Sequence, residues 1–354
     1  MNNRIEYIDG MKGLAALIVF FCHYSENTGH LYWSRDVLLN NPVTKIFIDG
    51  CSAVFMFILL SGFSNALSMN RKPLDINLVR NTIVKRYLRL AIPIAPILVL
   101  VFLMRCCDLM YNNGFSEWYS HSYYNESTMN HLLPFRLIKA IIVSPLGDTT
   151  GVDLPTWMLR YILIGSYFVL MIHVVTYELK IVNKIIFSCF FMFICGYMLN
   201  PYYIPMIAGF ILLLVNPFIQ HSRYKILLSI GCLFGALAFY FIIPQIKFPT
   251  REVMTVILLF IGVLSNPFLQ KILSAGLFKY LGKISFMLYL IHMPIIASLT
   301  CYLCMHLPIE NIKLLSLTVF IITTIVVILV AHFSTIWIEE RMSKKVINKL
   351  LSKI

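Results

Sequence analysis

Long apolar runs separated by short polar segments follow one another along nearly the whole chain. A bilayer core takes about 20 apolar residues per helix, and continuous apolar runs of that length predict helices and not strands. The chain has about ten such runs, with centres near residues 18, 57, 97, 167, 191, 210, 234, 260, 293 and 325. The pattern therefore predicts an all-α polytopic membrane bundle of about ten transmembrane helices.

The composition agrees with a chain that lies mostly in hydrocarbon. Hydrophobic residues make up 59% of the chain and charged residues 13%, whereas a soluble domain has about 25% charged residues. The formal net charge of +13 does not indicate nucleic acid, because the lysines and arginines lie in short loops between apolar runs. That distribution is typical of membrane proteins, so lipid is the expected partner and nucleic acid is not.

The loop charges also predict the orientation. The most basic segments are 71–89, 271–283 and 341–353, and the loops on the opposite side carry fewer basic residues. The positive-inside rule therefore places both termini in the cytoplasm, as an even number of helices requires. Arg4 and Lys12 before the first run are similar to the start of a secretory signal. No small-residue cleavage site follows, so we expect a retained helix.

The whole chain, 1–354, is predicted to form a single integral membrane domain with one long polar segment at 106–155. That segment is expected outside the cytoplasm. Its Trp118, Tyr119, Tyr123 and Tyr124 suit contacts with sugars, and they suit an interfacial aromatic belt equally well.

The nine cysteines do not predict a disulfide framework or a metal site. Most lie inside apolar runs, and an odd number excludes complete pairing within the chain. Cys301 and Cys304 have a C-x-x-C spacing without a second such pair, and we interpret them as small packing residues.

Lys12 and His23 are ionisable residues within or beside the first apolar run, where such residues are functional candidates. They are eleven positions apart, which places them on one helix face with about 16 Å between their Cα atoms. A cation near the cytoplasmic side and a deeper imidazole suit a CoA pyrophosphate and its thioester. The spacing is also consistent with a snorkelling lysine and a histidine at the far interface.

Further candidates lie near other runs. Arg86 and Arg89 share a helix face and suit phosphate binding, or they form an ordinary positive-inside cluster. Arg160, three residues after Trp157, is a positive charge on the side where few are expected, and it either has a function or anchors the helix at the membrane interface. His292 lies inside a run two residues before Pro294. It either has a function or hydrogen-bonds to a backbone carbonyl that the proline leaves without a donor.

Six segments resemble, in order, the signatures of the acyltransferase-3 family of integral membrane acyltransferases. The first is 7–17, in which Lys12 is followed by ten residues and then His23. The others are a run ending in Ser61-Gly62-Phe63, Arg86-x-x-Arg89 with Pro93, 154–160 with Trp157, 281–294 with His292, and Glu339-Glu340-Arg341. The resemblance extends over nearly the whole chain.

The resemblance implies about ten helices, a cytoplasmic acyl-CoA donor (most often acetyl-CoA) and transfer to a hydroxyl at the outer face. The residues fall into three predicted sets: catalytic His23, Lys12 and Arg160; donor-binding Arg86, Arg89 and Lys12; and acceptor-binding Trp157, Asp153 and His292. His23 is either a general base or a transient acyl carrier. No metal is expected.

The chain departs from the family pattern at two positions where many members carry carboxylates. Ile162 stands at one of them and the other falls near Phe55. Asp49 and Asp153 are the candidate replacements, and the acceptor side of the site is therefore less well defined than the donor side.

These observations predict an O-acetyltransferase of the cell inner (plasma) membrane that acts on an extracytoplasmic or lipid-linked carbohydrate. The alternative is an exporter of a glycan or a lipid-linked sugar that performs no acyl transfer, since hydropathy and helix number do not distinguish the two.

Overall fold

The computed structural model describes residues 5–28, 31–32, 35–112, 134–147, 156–244 and 249–352. These residues form helices, turns and bends, and no strand occurs among them. The α-helices, numbered in chain order, are α1 (Glu6–Asn27), α2 (Arg35–Leu39), α3 (Pro42–Phe47), α4 (Gly50–Asn70), α5 (Ile76–Cys106), α6 (Pro134–Val143), α7 (Trp157–Val175), α8 (Ile181–Ile194), α9 (Tyr203–His221), α10 (Lys225–Ile242), α11 (Thr250–Leu264), α12 (Pro267–Leu273), α13 (Gly276–Ile295), α14 (Cys301–His306), α15 (Ile312–Ser334) and α16 (Lys344–Leu351).

Wider π-helical turns extend three of these helices. They are Cys195–Leu199 after α8, Ile296–Thr300 between α13 and α14, and Thr335–Ser343 between α15 and α16. The second of these begins two residues after Pro294, which lacks the N–H that a regular helix uses. Ser298 donates a hydrogen bond to the Pro294 carbonyl at 2.7 Å, so the irregular turn keeps a partner for that oxygen.

The prediction of an all-α polytopic membrane protein is confirmed. Within the described part of the chain, eight helices are long and apolar enough to cross a membrane, or nine if α11 and α12 form one bent span. Every predicted run centre falls inside a helix. The first run centre, near residue 18, lies in α1. This helix is not among the eight, and it carries four charged residues, Glu6, Asp9, Lys12 and Glu26. A total of ten spans and cytoplasmic termini remain predictions.

Asparagine side chains begin three of the helices. Asn41, Asn266 and Asn311 precede α3, α12 and α15, and each accepts hydrogen bonds from two backbone N–H groups of the first turn. Such caps satisfy donors that have no partner within the helix.

The chain forms two compact units, each built from separate stretches of sequence. The first unit comprises Met1–Ala15, Cys51–Arg86 and Arg160–Gly282. The second comprises Ala16–Gly50, Tyr87–Leu159 and Lys283–Ile354. The predicted single domain remains a prediction.

Close helix contacts in the first unit explain two glycines of the predicted motifs. A Cβ atom on Gly62 of α4 would lie 1.9 Å from the carbonyl oxygen of Met206 in α9. A Cβ atom on Gly13 of α1 would lie 2.5 Å from the backbone nitrogen of Gly282 in α13. Any larger residue would force these helices apart, so both glycines are required by packing.

In the second unit, α1 packs against α15 through aromatic rings. The ring of Phe320 lies 5.7 Å from that of Phe21 and 5.2 Å from that of Tyr24. Thr300 and Thr323 share a buried hydrogen bond of 2.9 Å. The two ring contacts of Phe320 fix the part of α1 that carries His23.

The predicted loop region 106–155 contains a helix in its described part. This helix, α6, is followed by a single 3₁₀ turn at Ser144–Leu146, and the Ile142 carbonyl accepts a hydrogen bond from the Tyr87 hydroxyl at 2.6 Å. Trp118, Tyr119, Tyr123 and Tyr124 lie outside the described residues.

Candidate active site

His23 and His292 form a hydrogen-bonded pair in the second unit. Nδ1 of His23 lies 2.8 Å from Nε2 of His292, and the two rings are nearly parallel, with 10° between their planes. His292 on α13 is fully buried, whereas His23 on α1 is half-buried. The pair joins two helices that are separated by 269 positions in sequence.

A backbone carbonyl determines the proton positions in this pair. Nδ1 of His292 lies 3.1 Å from the Leu288 oxygen, and a carbonyl only accepts, so Nδ1 carries the hydrogen. In a neutral His292, Nε2 is then an acceptor, and it receives the Nδ1 hydrogen of His23. The lone pair of His23 is consequently on Nε2, the atom that a general base or a nucleophile uses.

Pro294 is not the reason for the position of His292. The carbonyl that lacks its helical donor because of Pro294 belongs to Leu290, whereas His292 contacts the carbonyl of Leu288. The long-range bond to His23 shows that His292 does more than satisfy its own backbone.

The end of α1 carries further polar groups beside His23. Asn27, one turn later, donates through Nδ2 to the His23 carbonyl at 2.5 Å and is fully buried. Glu26 forms an ion pair with Arg35 and accepts a hydrogen bond from Cys22 Sγ at 3.6 Å. The sequence analysis did not identify Asn27, and its spacing of four residues from His23 was the available signal.

Lys12 belongs to the first unit, on the same helix α1 that carries His23 in the second unit. Its Nζ donates to Ser64 Oγ at 3.2 Å. Ser64 in turn donates to the Leu60 carbonyl at 2.7 Å. Lys12 is half-buried, and at this contact its ammonium group donates to the neutral hydroxyl of Ser64.

Arg86 and Arg89 both lie on α5. Arg86 is half-buried and Arg89 is exposed. The division between the units falls between them, with Arg86 in the first and Arg89 in the second. Their shared helix face remains the basis for treating them together.

Trp157 and His292 are the predicted acceptor residues that the structure describes. Arg160, exposed on α7, hydrogen-bonds to the Tyr203 side chain in the first unit. Trp157 is the exposed first residue of α7 and belongs to the second unit. Asp153 lies outside the described residues.

A stack of aromatic rings in the first unit includes one of the positions where the family pattern is broken. Tyr202 lies between Phe55 and Tyr161, with both ring centroids 4.7 Å from its own. Burial, followed by the neighbouring Cys51, Tyr161 and Glu252, raises the pKa of Tyr202 to about 12. The Tyr202 hydroxyl therefore keeps its proton at neutral pH.

Arg251 and Glu252 form a buried ion pair that the sequence analysis missed. Arg251 contacts Glu252 Oε1 through Nε at 3.1 Å and through Nη2 at 2.6 Å, and the Glu252 side chain is 1% exposed. The guanidinium also lies over the Tyr240 ring, 5.3 Å from its centroid. The adjacent opposite charges next to an apolar run were the signal that could have found this pair.

These features define a multi-pass membrane protein with a histidine pair suited to acid–base or nucleophilic chemistry. A family model described as an acyltransferase domain, Acyl_transf_3, matches residues 5–333. Since the match extends over nearly the whole chain, the protein belongs to the acyltransferase-3 family and is a membrane acyltransferase. No curated protein and no solved structure matches the chain at a significant level.

Proposed function

We propose that the protein transfers an acyl group, acetyl in the first instance, from cytoplasmic acyl-CoA to a hydroxyl of an extracytoplasmic or lipid-linked carbohydrate. The proposed location is the inner (plasma) membrane. The observation that carries the proposal is the His23–His292 pair, at 2.8 Å, in a chain of the acyltransferase-3 family.

The donor is bound by cations. Arg86, Arg89 and Lys12 bind the CoA phosphates, and guanidinium groups make strong charge-assisted hydrogen bonds to phosphate. The partial exposure of Lys12 and the exposure of Arg89 support these roles.

His23 Nε2 performs the chemistry in one of two ways. As a general base it removes the proton of the acceptor hydroxyl while the hydroxyl oxygen attacks the thioester carbonyl. The C–S bond then breaks, and the proton passes to the CoA thiolate. As an acyl carrier, Nε2 attacks the thioester carbonyl first, and the C–S bond breaks to release CoA as the thiolate. The acceptor oxygen then takes the acyl group as the N–acyl bond breaks, and its hydroxyl proton passes to Nε2.

In both cases His292 supports the positive charge that develops on His23. When His23 Nε2 gains a proton or an acyl group, the Nδ1 hydrogen still points at His292 Nε2, which stabilises the cation. Arg160 has N–H groups beyond the one that contacts Tyr203 and, with Trp157 and Asp153, positions the acceptor or stabilises the oxyanion.

The bent helix pair does not favour export over acyl transfer. Transporters use carbonyls at broken helices to coordinate substrates and ions, and α11 and α12 meet at an angle of 100°. At this break, however, the Leu264 carbonyl accepts hydrogen bonds from Gln220 at 2.7 Å and from Gln270 at 2.9 Å. Protein side chains therefore already serve as partners for this oxygen.

The test uses purified protein in liposomes with radiolabelled acetyl-CoA and a membrane glycolipid extract from the native host. We expect release of CoA thiol and alkali-labile label in the carbohydrate fraction, both lost in His23→Ala. His306→Ala is the matched control, because His306 is an exposed histidine whose Nδ1 hydrogen-bonds within its own helix, to the Tyr302 carbonyl. Export of the glycolipid by the wild type without CoA release would refute the proposal in favour of an exporter.

A further inference from the structure

Helix α5 is long enough to reach from one side of a membrane to the other. Tyr87 and Cys106 are 19 positions apart on this helix, which corresponds to about 28 Å along its axis. A hydrocarbon core is about 30 Å thick, and the residues between Arg89 and Arg105 carry no charge. Tyr87 and Cys106 therefore mark opposite ends of the apolar part of α5.

The chain is back at the Tyr87 end of α5 when it reaches the end of α6. The Tyr87 hydroxyl donates to the Ile142 carbonyl at 2.6 Å, and both residues belong to the second unit. A segment that stayed on one side of the membrane after Cys106 would keep Ile142 near the Cys106 end. The hydrogen bond places Ile142 at the opposite end of the apolar part of α5 instead.

The side chains of α6 suit the boundary between lipid and water. Ile138 and Ile142 are four residues apart and share one helix face, where they are 61% and 60% exposed. Ala140 and Ser144 are fully buried, so another side of the segment packs against protein. Lys139 is exposed beside Ile138. An open apolar stripe next to a cation is typical of a helix at the membrane interface.

Lys139 adds a cation at the end of α5 that carries Arg89. Lys139 lies one turn before Ile142 on α6, and Arg89 follows Tyr87, the residue that contacts Ile142, by two positions on α5. Both cations are exposed, and neither forms an ion pair in the part of the chain that the structure describes. Two separate cations suit a ligand with separate phosphates, and CoA carries a pyrophosphate and a 3′-phosphate.

We infer that Leu137–Leu146 lies on the donor side of the membrane and that Lys139 is a further phosphate-binding residue for acyl-CoA. This inference rests on the proposed acyl transfer, in which Arg89 binds the donor. It adds a cation from the segment 106–155, which the loop charges predict to lie on the acceptor side.

The first test locates Lys139 with a membrane-impermeant maleimide in sealed membrane vesicles of known orientation. The background protein has serine at the exposed cysteines Cys106, Cys107 and Cys189, and a single cysteine is then introduced by Lys139→Cys or Arg80→Cys or restored at Cys106. We expect Lys139→Cys and Arg80→Cys to be labelled from the same face of the membrane and Cys106 from the opposite face. Labelling of Lys139→Cys from the face that labels Cys106 overturns the inference.

The second test measures the affinity of the purified protein for labelled CoA. Lys139→Gln is expected to weaken binding by about tenfold, the size of one charge-assisted contact, and to leave kcat at saturating acetyl-CoA unchanged. Lys139→Arg keeps the charge and is expected to keep the affinity. Lys345→Gln is the matched control, because Lys345 is an exposed lysine of the same unit on α16, and it is expected to leave the affinity unchanged.

Unchanged CoA affinity in Lys139→Gln overturns the inference. An equal loss of affinity in Lys345→Gln also overturns it, because that result indicates general electrostatics and not a phosphate contact. Both outcomes leave the release of CoA by the wild type intact. A wild type that releases no CoA with the host glycolipid refutes the proposed function instead, and the labelling test requires no activity, so the two failures are distinguishable.

Discussion

The two buried polar pairs of this protein differ in how they are built. In the first unit, Arg251 and Glu252 are adjacent in sequence and carry full opposite charges. In the second unit, His23 and His292 are 269 positions apart and form a hydrogen bond between two imidazole rings. In an ion pair between adjacent residues, the two charges compensate each other as soon as the helix that carries them forms. The histidine pair forms only when two helices pack in register.

The difference suggests different purposes. The guanidinium makes both of its hydrogen bonds to one oxygen of its neighbour and stabilises the start of α11. The histidine pair sets the tautomer of His23, with the lone pair on Nε2, which a stabilising contact does not need. We therefore expect substitutions in the first pair to change stability and substitutions in the second pair to change activity.

The largest expected effect is that of His23→Ala on acyl transfer. Removal of the base or nucleophile lowers kcat by about 10³-fold, while binding of acyl-CoA is retained because the phosphate-binding cations are unchanged. Single-turnover transfer of labelled acetyl measures the rate, and equilibrium binding of labelled CoA measures the donor affinity. Loss of CoA binding in His23→Ala would instead assign it a structural role.

Glu252→Ala, a substitution in the buried ion pair, is expected to change stability. It leaves Arg251 buried without its partner, which costs about 3–5 kcal/mol of folding free energy. The double variant Arg251→Met/Glu252→Leu removes both charges and is expected to recover most of the loss. Thermal unfolding in detergent measures these changes.

The control for that prediction is the exposed ion pair between Glu6 and Lys279, at 2.7 Å with both side chains 50% exposed. Lys279→Ala is expected to cost about 0–1 kcal/mol. Equal effects of Glu252→Ala and Lys279→Ala would contradict the structural role of the buried pair.

His292→Leu tests whether the activity of His23 depends on its hydrogen bond to His292. Without an acceptor for its Nδ1 hydrogen, His23 loses both its orientation and its preferred tautomer, and kcat falls by about 10²-fold. His292→Gln is the matched control, because its side-chain oxygen can accept from His23 and it is expected to retain most of the activity. Equal losses in both variants would mean that His292 matters for packing only.

The smallest expected effect is that of Arg89→Ala, a change at an exposed side chain of α5. Loss of a charge-assisted phosphate contact weakens acyl-CoA binding by about tenfold and leaves kcat unchanged. Arg80→Ala is the control on the same helix, since Arg80 is exposed and contacts Asn77 at 3.1 Å. A similar loss in both variants would indicate general electrostatics and not a phosphate site.

The sequence predicted the helical membrane fold because apolar runs of membrane length have few other structures open to them. It also singled out both histidines, since ionisable residues inside such runs are costly. It did not predict their contact, because the spacing of residues along one helix contains no information about which distant helix packs against it. His292 was expected to bind substrate, and the structure places it against His23.

The acceptor side is the least defined part of the sequence prediction, for a physical reason. The sequence analysis sought replacements for missing carboxylates at Asp49 and Asp153, because those residues are near the broken motifs in sequence. A buried carboxylate in the first unit belongs to Glu252, about 90 positions after Ile162, and one of several unpartnered buried amide oxygens among the described residues belongs to Asn27. Burial and missing partners appear only after the chain has folded.

The central claim is that His23 and His292 act as one unit in acyl transfer, and a double-mutant cycle tests it most directly. Rates of labelled acetyl transfer are compared for the wild type, His23→Ala, His292→Leu and the double variant. Because His292 acts through His23, we predict that His292→Leu causes no further loss in the His23→Ala protein. A further loss of about 10²-fold in the double variant would show that the two histidines act independently and would contradict the account.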